Sequence, residues 1–175
     1  AMIYIRGNPH DYDTWAEQGN QGWGYDEILE YFKRSEHFEP GDGEYHGEDG
    51  PLNVADPVAP HPVSGQLVEA AAEVGHVRND DFNGEQQQGV GHYHLTQKNG
   101  KRCSAAKAFI TPILDRENLA AETGAQVTQI RFEGDRAIGV TYEQDGRTHQ
   151  ADAGAEVILS AGSVNSPQLL MLSGI

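Results

Sequence analysis

An apolar run, Glu156 to Leu159, enters a turn of small residues, Ser160-Ala-Gly162, after which Ser166-Pro167 opens an amphipathic segment that Ser173-Gly174 closes. No other stretch limits the fold of this chain as tightly. The run reads as a buried strand. Serine as N-cap and proline at the first helical position favour a helix start, and a glycine just past the last apolar residue favours a helix stop. Strand, small-residue turn and capped helix together bring backbone N–H groups to a helix N-terminus, where a phosphate-bearing ligand can be held. Many α/β proteins contain the same arrangement, so alone it names no function.

The remaining pattern predicts an α+β chain of short helices and an antiparallel meander. Asp11 to Gln18 and Tyr25 to His37 read as helices, the second with Ile28, Leu29, Tyr31 and Phe32 as its apolar stripe. Ser64 to Val74 reads as an amphipathic helix lined by Leu67, Val68, Ala71 and Ala72 and stopped by Gly75, and Ser104 caps a helix running to Leu114. From Leu119 the period becomes two. Strands are expected at Leu119 to Thr123, Val127 to Phe132, Ala137 to Glu143 and Thr148 to Ala151, with turns at Gly134-Asp135 and Asp145-Gly146. A second small sheet is expected from Leu52-Asn-Val54 and the His92 to Leu95 region.

At 175 residues the chain is long enough to bury one core, and a single folded body is expected. Its 27 acidic against 12 basic side chains give a formal charge of −15, which argues against nucleic acid and anionic membrane surfaces as partners. No run approaches the length of a membrane-spanning helix. The single cysteine, Cys103, excludes an intramolecular disulfide and fits a reducing cytoplasm.

His92 and His94 share a face if they lie on a strand, yet two imidazoles without a Cys or carboxylate cluster make a poor metal site, so no metal is expected. His10, His37, His46, His61, His76 and His149 stand in polar or terminal contexts and read as surface residues. The clustered glycines 19, 22 and 24, and those at 41, 43, 47 and 50, lack a preceding apolar strand and read as turns rather than as a dinucleotide fingerprint.

The string from Gly162 to Ile175, GSVNSPQLLMLSGI, resembles the second signature of the glucose–methanol–choline (GMC) family of flavin oxidoreductases. At the other end, Ala1 to Gly7 (AMIYIRG) with Asp11 to Trp15 (DYDTW) resembles the tail of that family's first signature. Between them, Gly22-Trp23, Tyr31 to Glu36, Gly50-Pro-Leu52, Asp81-Phe-Asn-Gly84, Gly100-Lys-Arg102 and Ser104 to Phe109 are similar to the family in order. The resemblance implies a slice of a two-domain flavoprotein. Residues 1–118 would be mainly helical and substrate-domain-like; residues 119–175 would supply the meander and the strand–turn–helix of the FAD domain. It also implies that the glycine fingerprint for FAD pyrophosphate and the catalytic histidine lie outside this stretch, leaving no catalytic residue here.

By the same resemblance the parent protein oxidises an alcohol, choline-like or aliphatic, to an aldehyde by hydride transfer to FAD, with dehydrogenase and oxidase both open. Ala1 and Met2 are implied as backbone contacts beneath the flavin ring, Val127 as a backbone contact to adenine, and Ser160, Ala161 and Gly162 as the turn against the phosphates and ribose. The slice alone is expected to be inactive. The alternative is a folded fragment that binds no flavin and self-associates through exposed edges.

Overall fold

The computed structural model describes residues 2–41 and 43–175, and the fold is α+β. Ala1 lies outside the described residues. The chain divides into two compact units, Ala1–Leu119 and Ala120–Ile175.

The first unit begins with α1 (Pro9–Glu17). Asn8 caps it by accepting the His10 N–H, Asp11 returns a bond to the Asn8 N–H, and Pro9 opens the first turn. α2 (Tyr25–Ser35) starts at Gly24, whose N–H is held by the Glu27 carboxylate. It ends before the expected His37, because Glu36–Phe38 leaves the helix as strand β1. β1 pairs in parallel with β2 (Leu52–Val54), so Leu52-Asn-Val54 finds its partner here rather than in the His92 region. That region forms only isolated bridges at Leu95, to Ile3 and to Ala55.

The intervening loop lies close on the last turn of α2 and the start of β1. A Cβ at Gly47 would collide with the Lys33 carbonyl, and one at Gly50 with the Glu36 backbone. α3 (Pro62–Glu73) starts earlier than expected, with His61 as its cap and Pro62 at its first position. Its apolar stripe is only partly covered: Val68, Ala71 and Ala72 are half-buried, but Leu67 is 68% exposed. A short hairpin, β3 (Gln97–Lys98) and β4 (Lys101–Arg102), precedes one π turn (Ala106–Ile110) and one 3-10 turn (Thr111–Ile113) in place of the expected helix to Leu114. Ser104 nonetheless caps the first turn, accepting the Lys107 N–H at 3.2 Å. Pro112 lacks the N–H that a longer α-helix would need.

In the second unit β5 (Gln126–Glu133), β6 (Arg136–Gln144) and β7 (Arg147–Asp152) form an antiparallel meander. Asp145 and Gly146 both have positive φ, 51° and 72°, the backbone a tight two-residue hairpin requires. Leu119 to Thr123 is not a strand. Glu156 to Leu159 is not one either: it runs without a pairing partner among the described residues, and Ile158 is 78% exposed. A run apolar on both faces needs neighbours on both sides to become a buried strand. The chain closes with α4 (Gly162–Leu172), which packs on β5.

Candidate functional site: an uncharged cavity and a buried charged clasp

α4 begins four residues ahead of the expected Ser166. Gly162, at φ +90°, turns the chain into the helix, and the Ser166 hydroxyl accepts the Ala161 N–H at 3.0 Å. Ser166 therefore closes the first turn from inside, and Pro167 sits within the helix, where its missing N–H leaves the Ser163 carbonyl without its usual donor. The first N–H groups of a helix have no intrahelical acceptor. Residues Ser160 to Asn165 around this end are exposed, and the space where a Gly162 Cβ would stand is open.

Ala161, the cap of α4, and Asn165, Gln168, Leu169 and Leu172 along one face of that helix border a cavity of about 500 Å³ whose other wall is Ala125 and the start of β5, Gln126 to Thr128. This volume lies in the range of small-molecule sites. Val127 and Ala161, far apart in sequence, thus line one space. Ser160 and Gly162 adjoin Ala161 in the chain but do not belong to the set of residues that line the space. None of the lining residues is charged, in a chain with 27 acidic side chains. A phosphate-bearing nucleotide meets no like charge there. The small turn, the helix N-terminus, the open Gly162 and the uncharged walls all fit such a group.

Met2 belongs to the first unit. Its carbonyl accepts the Thr96 N–H at 2.7 Å and the Thr96 hydroxyl at 3.2 Å, and the Tyr4 N–H reaches the His94 carbonyl at 2.9 Å. The Met2 to Gly7 segment is thereby fixed as an extended strand-like piece.

Sequence patterning missed the most densely bonded part of this unit. Glu36 is fully buried and accepts from Arg6 Nη2 at 2.8 Å and from the Gly47 N–H at 3.2 Å. His46, expected on the surface, is buried with it: Nδ1 lies 3.1 Å from Glu36 Oε2 and Nε2 lies 2.9 Å from Asp81 Oδ2. Its ring stacks on Phe38 at 3.8 Å. Burial works against a charge on His46, but the hydrogen bonds its ring donates to Asp81 and Glu36, and their negative charges, raise its pKa above the ordinary histidine value. Asp81 moves the other way. Burial disfavours its charge, yet His46 and the Asn83 N–H hold its pKa below the usual carboxylate range. His94 is also buried, with Asp56 at 3.4 Å and Asp81 at 3.9 Å, while His92 is half-buried beside it. No group of three or more His, Cys, Asp or Glu arranged to hold a metal occurs among the described residues. None of their helices is long and apolar enough to cross a membrane.

The family model for GMC oxidoreductases matches residues 1–175. The chain belongs to the GMC oxidoreductase family. It is 47% identical over 175 residues to the mitochondrial choline dehydrogenase of Homo sapiens and 46% identical over 179 residues to an alcohol dehydrogenase [acceptor] of Pseudomonas putida. This GMC chain spans 30% and 32% of those proteins' lengths. Among solved structures, it is similar to pyridoxine 4-oxidase from Mesorbium loti, with a TM-score of 0.89 and 32% identity over 100% of this chain and 35% of that one. A similar match, at TM-score 0.89 and 33% identity, covers 100% of the GMC chain and 33% of an FAD-dependent oxidoreductase from Chaetomium thermophilum. FAD is implied by this family.

Proposed function

We propose that this GMC chain is part of an FAD-dependent enzyme that oxidises a primary alcohol, choline-like or aliphatic, to an aldehyde. The observation that carries the reading is the uncharged cavity shared by Val127 and Ala161 beside the N-terminus of α4. Val127 would meet the adenine, and Ser160, Ala161 and Gly162 would lie against the phosphates and ribose, their small side chains allowing close approach. Met2, with Ala1 before it, would offer backbone to the flavin ring. The chemistry supplied by bound FAD is acceptance of two electrons from the alcohol. This chain's share is to bind and orient, through helix-end N–H groups and walls free of competing carboxylates. The similarity to choline dehydrogenase and to an alcohol dehydrogenase supports a small alcohol as substrate.

The test is anaerobic titration of the full-length, flavin-loaded protein with choline and with short primary alcohols. Bleaching of the visible flavin band by one of them, with aldehyde formed, is the expected result; no bleaching by any alcohol rejects the reading.

A second proposal concerns the 175-residue chain on its own: without its flanking sequence it associates with further copies of itself. Supporting this, Ile158, Val164, Met171, Leu172 and Ile175 of the second unit are all exposed, beside an unpaired extended run. Light scattering that reports a monomer at high concentration would reject it.

A further inference from the structure

The clasp around His46 is a closed circuit. Arg6 Nη2 holds Glu36, and Arg6 Nη1 donates to the Tyr45 carbonyl at 2.7 Å in the loop that carries His46. His46 joins Glu36 to Asp81. Asp81 Oδ1 accepts the Asn83 N–H at 2.9 Å, and the Asn83 side chain returns to the first segment, accepting the Arg6 N–H at 2.7 Å and donating to the Tyr4 carbonyl at 3.2 Å. Asn83 thus joins the Tyr4 carbonyl to the Arg6 N–H, beside a direct bond from Arg6 Nε to the Tyr4 hydroxyl at 3.4 Å and one from Gln87 to the Arg6 carbonyl at 3.0 Å, and Asp81 braces the turn that presents Asn83.

We propose that His46 is a positioning residue: a fixed imidazolium whose two N–H groups bind Glu36 and Asp81 and so brace the Tyr4 to Arg6 stretch, the part of the first segment that follows Met2. This rests on reading Met2 as a flavin contact only for its functional consequence.

The proton count decides the point. A neutral imidazole has one N–H and one lone pair, so one of its two carboxylate contacts would become a repulsion between lone pairs. Only the cation satisfies both. It also balances the site, since Arg6 and His46 then offset Glu36 and Asp81 in surroundings that penalise an unpaired charge. The stacked Phe38 face adds attraction for a cationic ring. The other groups facing His46 are consistent with this: His94 lies edge-on with ring centroids 6.5 Å away, and its own neighbours are Asp56 and Asp81.

Loss of the proton has a defined direction. Glu36 keeps Arg6 and the Gly47 N–H, whereas the Asp81 side chain is 35% exposed and can turn to water. The Asp81 contact is the one that opens. Asn83 then loses part of its support, and the Arg6 N–H that it holds loosens, while Met2 and Tyr4 keep their bonds to Thr96 and His94.

The experiment is hydrogen exchange, read by mass spectrometry, on the full-length flavin-bound protein from neutral to alkaline pH, wild type against His46→Gln. In the wild type, protection in the peptide that carries the Arg6 amide should hold near neutrality and fall once His46 titrates. In His46→Gln it should already be lower, by roughly tenfold to a hundredfold for one lost charged hydrogen bond, and should no longer depend on pH. Protection that is high and flat with pH in the wild type overturns the proposal, and that measurement stands even if the variant does not fold. A pH-dependent fall in protection with an unchanged flavin spectrum supports the clasp but removes its functional consequence at the flavin, so the two readings fail separately.

Discussion

The Ser173 hydroxyl oxygen accepts the backbone N–H of Ile130 at 2.8 Å while donating to the Leu169 carbonyl at 2.6 Å. One side chain therefore ties the last turn of α4 to the open edge of β5. Ile130 is buried, and the other edge of its strand is already paired with β6.

Replacing Ser173 with Ala should destabilise the chain by about 1–3 kcal/mol, the cost of leaving a buried N–H without an acceptor. Urea unfolding would show a lower midpoint with an unchanged slope. A midpoint equal to that of the wild type would mean the strand edge finds water instead.

What could be read from sequence divides along local and long-range lines. Asp145-Gly146 was legible because a tight hairpin needs positive φ at both central residues, and that need is written in two adjacent letters. The Ser173-Gly174 helix stop was legible for the same reason, but the bond from Ser173 to Ile130 was not, because it depends on which strand the helix meets. Leu119 to Thr123 and Glu156 to Leu159 carry strand-like residues without a strand to pair with, and pairing is not encoded in the segment itself. His46 was hidden most completely. Its neighbours in sequence are Tyr45 and Gly47 in a polar loop, whereas its burial comes from Glu36 and Asp81 on other segments. Only the full charge inventory of the fold reveals that it has partners on both ring nitrogens.

Glycines offer a matched test of close packing. Gly47→Ala should be severely destabilising, by about 3 kcal/mol or more, since the added carbon meets the Lys33 carbonyl and the loop backbone must move. Gly65→Ala lies within α3 with open space around it, and should stabilise by about 0.5–1 kcal/mol through helix propensity. Thermal unfolding of the two variants should therefore move in opposite directions, and movement of both in the same direction would contradict the packing of Gly47 against the last turn of α2.

The pH dependence of stability follows from the opposed shifts of His46 and Asp81. A raised native pKa at His46 contributes stability that is full below the unfolded value of about 6.5 and lost as pH climbs through the native value. A lowered native pKa at Asp81 contributes stability present above the unfolded value and lost as pH falls through the native one. Urea midpoints should form a plateau bounded by these two titrations. Asp81→Asn should flatten the acid limb and also weaken the alkaline one, because it removes a partner that keeps His46 charged. An alkaline limb of undiminished steepness in that variant would place the titration elsewhere.

Ala161 gives the most direct test of the nucleotide reading. Its side chain is exposed at the mouth of the cavity, so Ala161→Phe should leave unfolding stability within about 0.5 kcal/mol while filling space that the proposal assigns to FAD. In the full-length protein the FAD dissociation constant should rise by at least roughly tenfold, equivalent to about 1.4 kcal/mol. Val127→Ala is the useful contrast. The proposed contact there is through backbone, so truncating the side chain should change FAD affinity less than filling the cavity from Ala161. Equilibrium dialysis against FAD separates the cases: undiminished affinity in Ala161→Phe would remove the cavity from the cofactor site, and a larger loss in Val127→Ala would make the adenine contact a matter of side-chain packing.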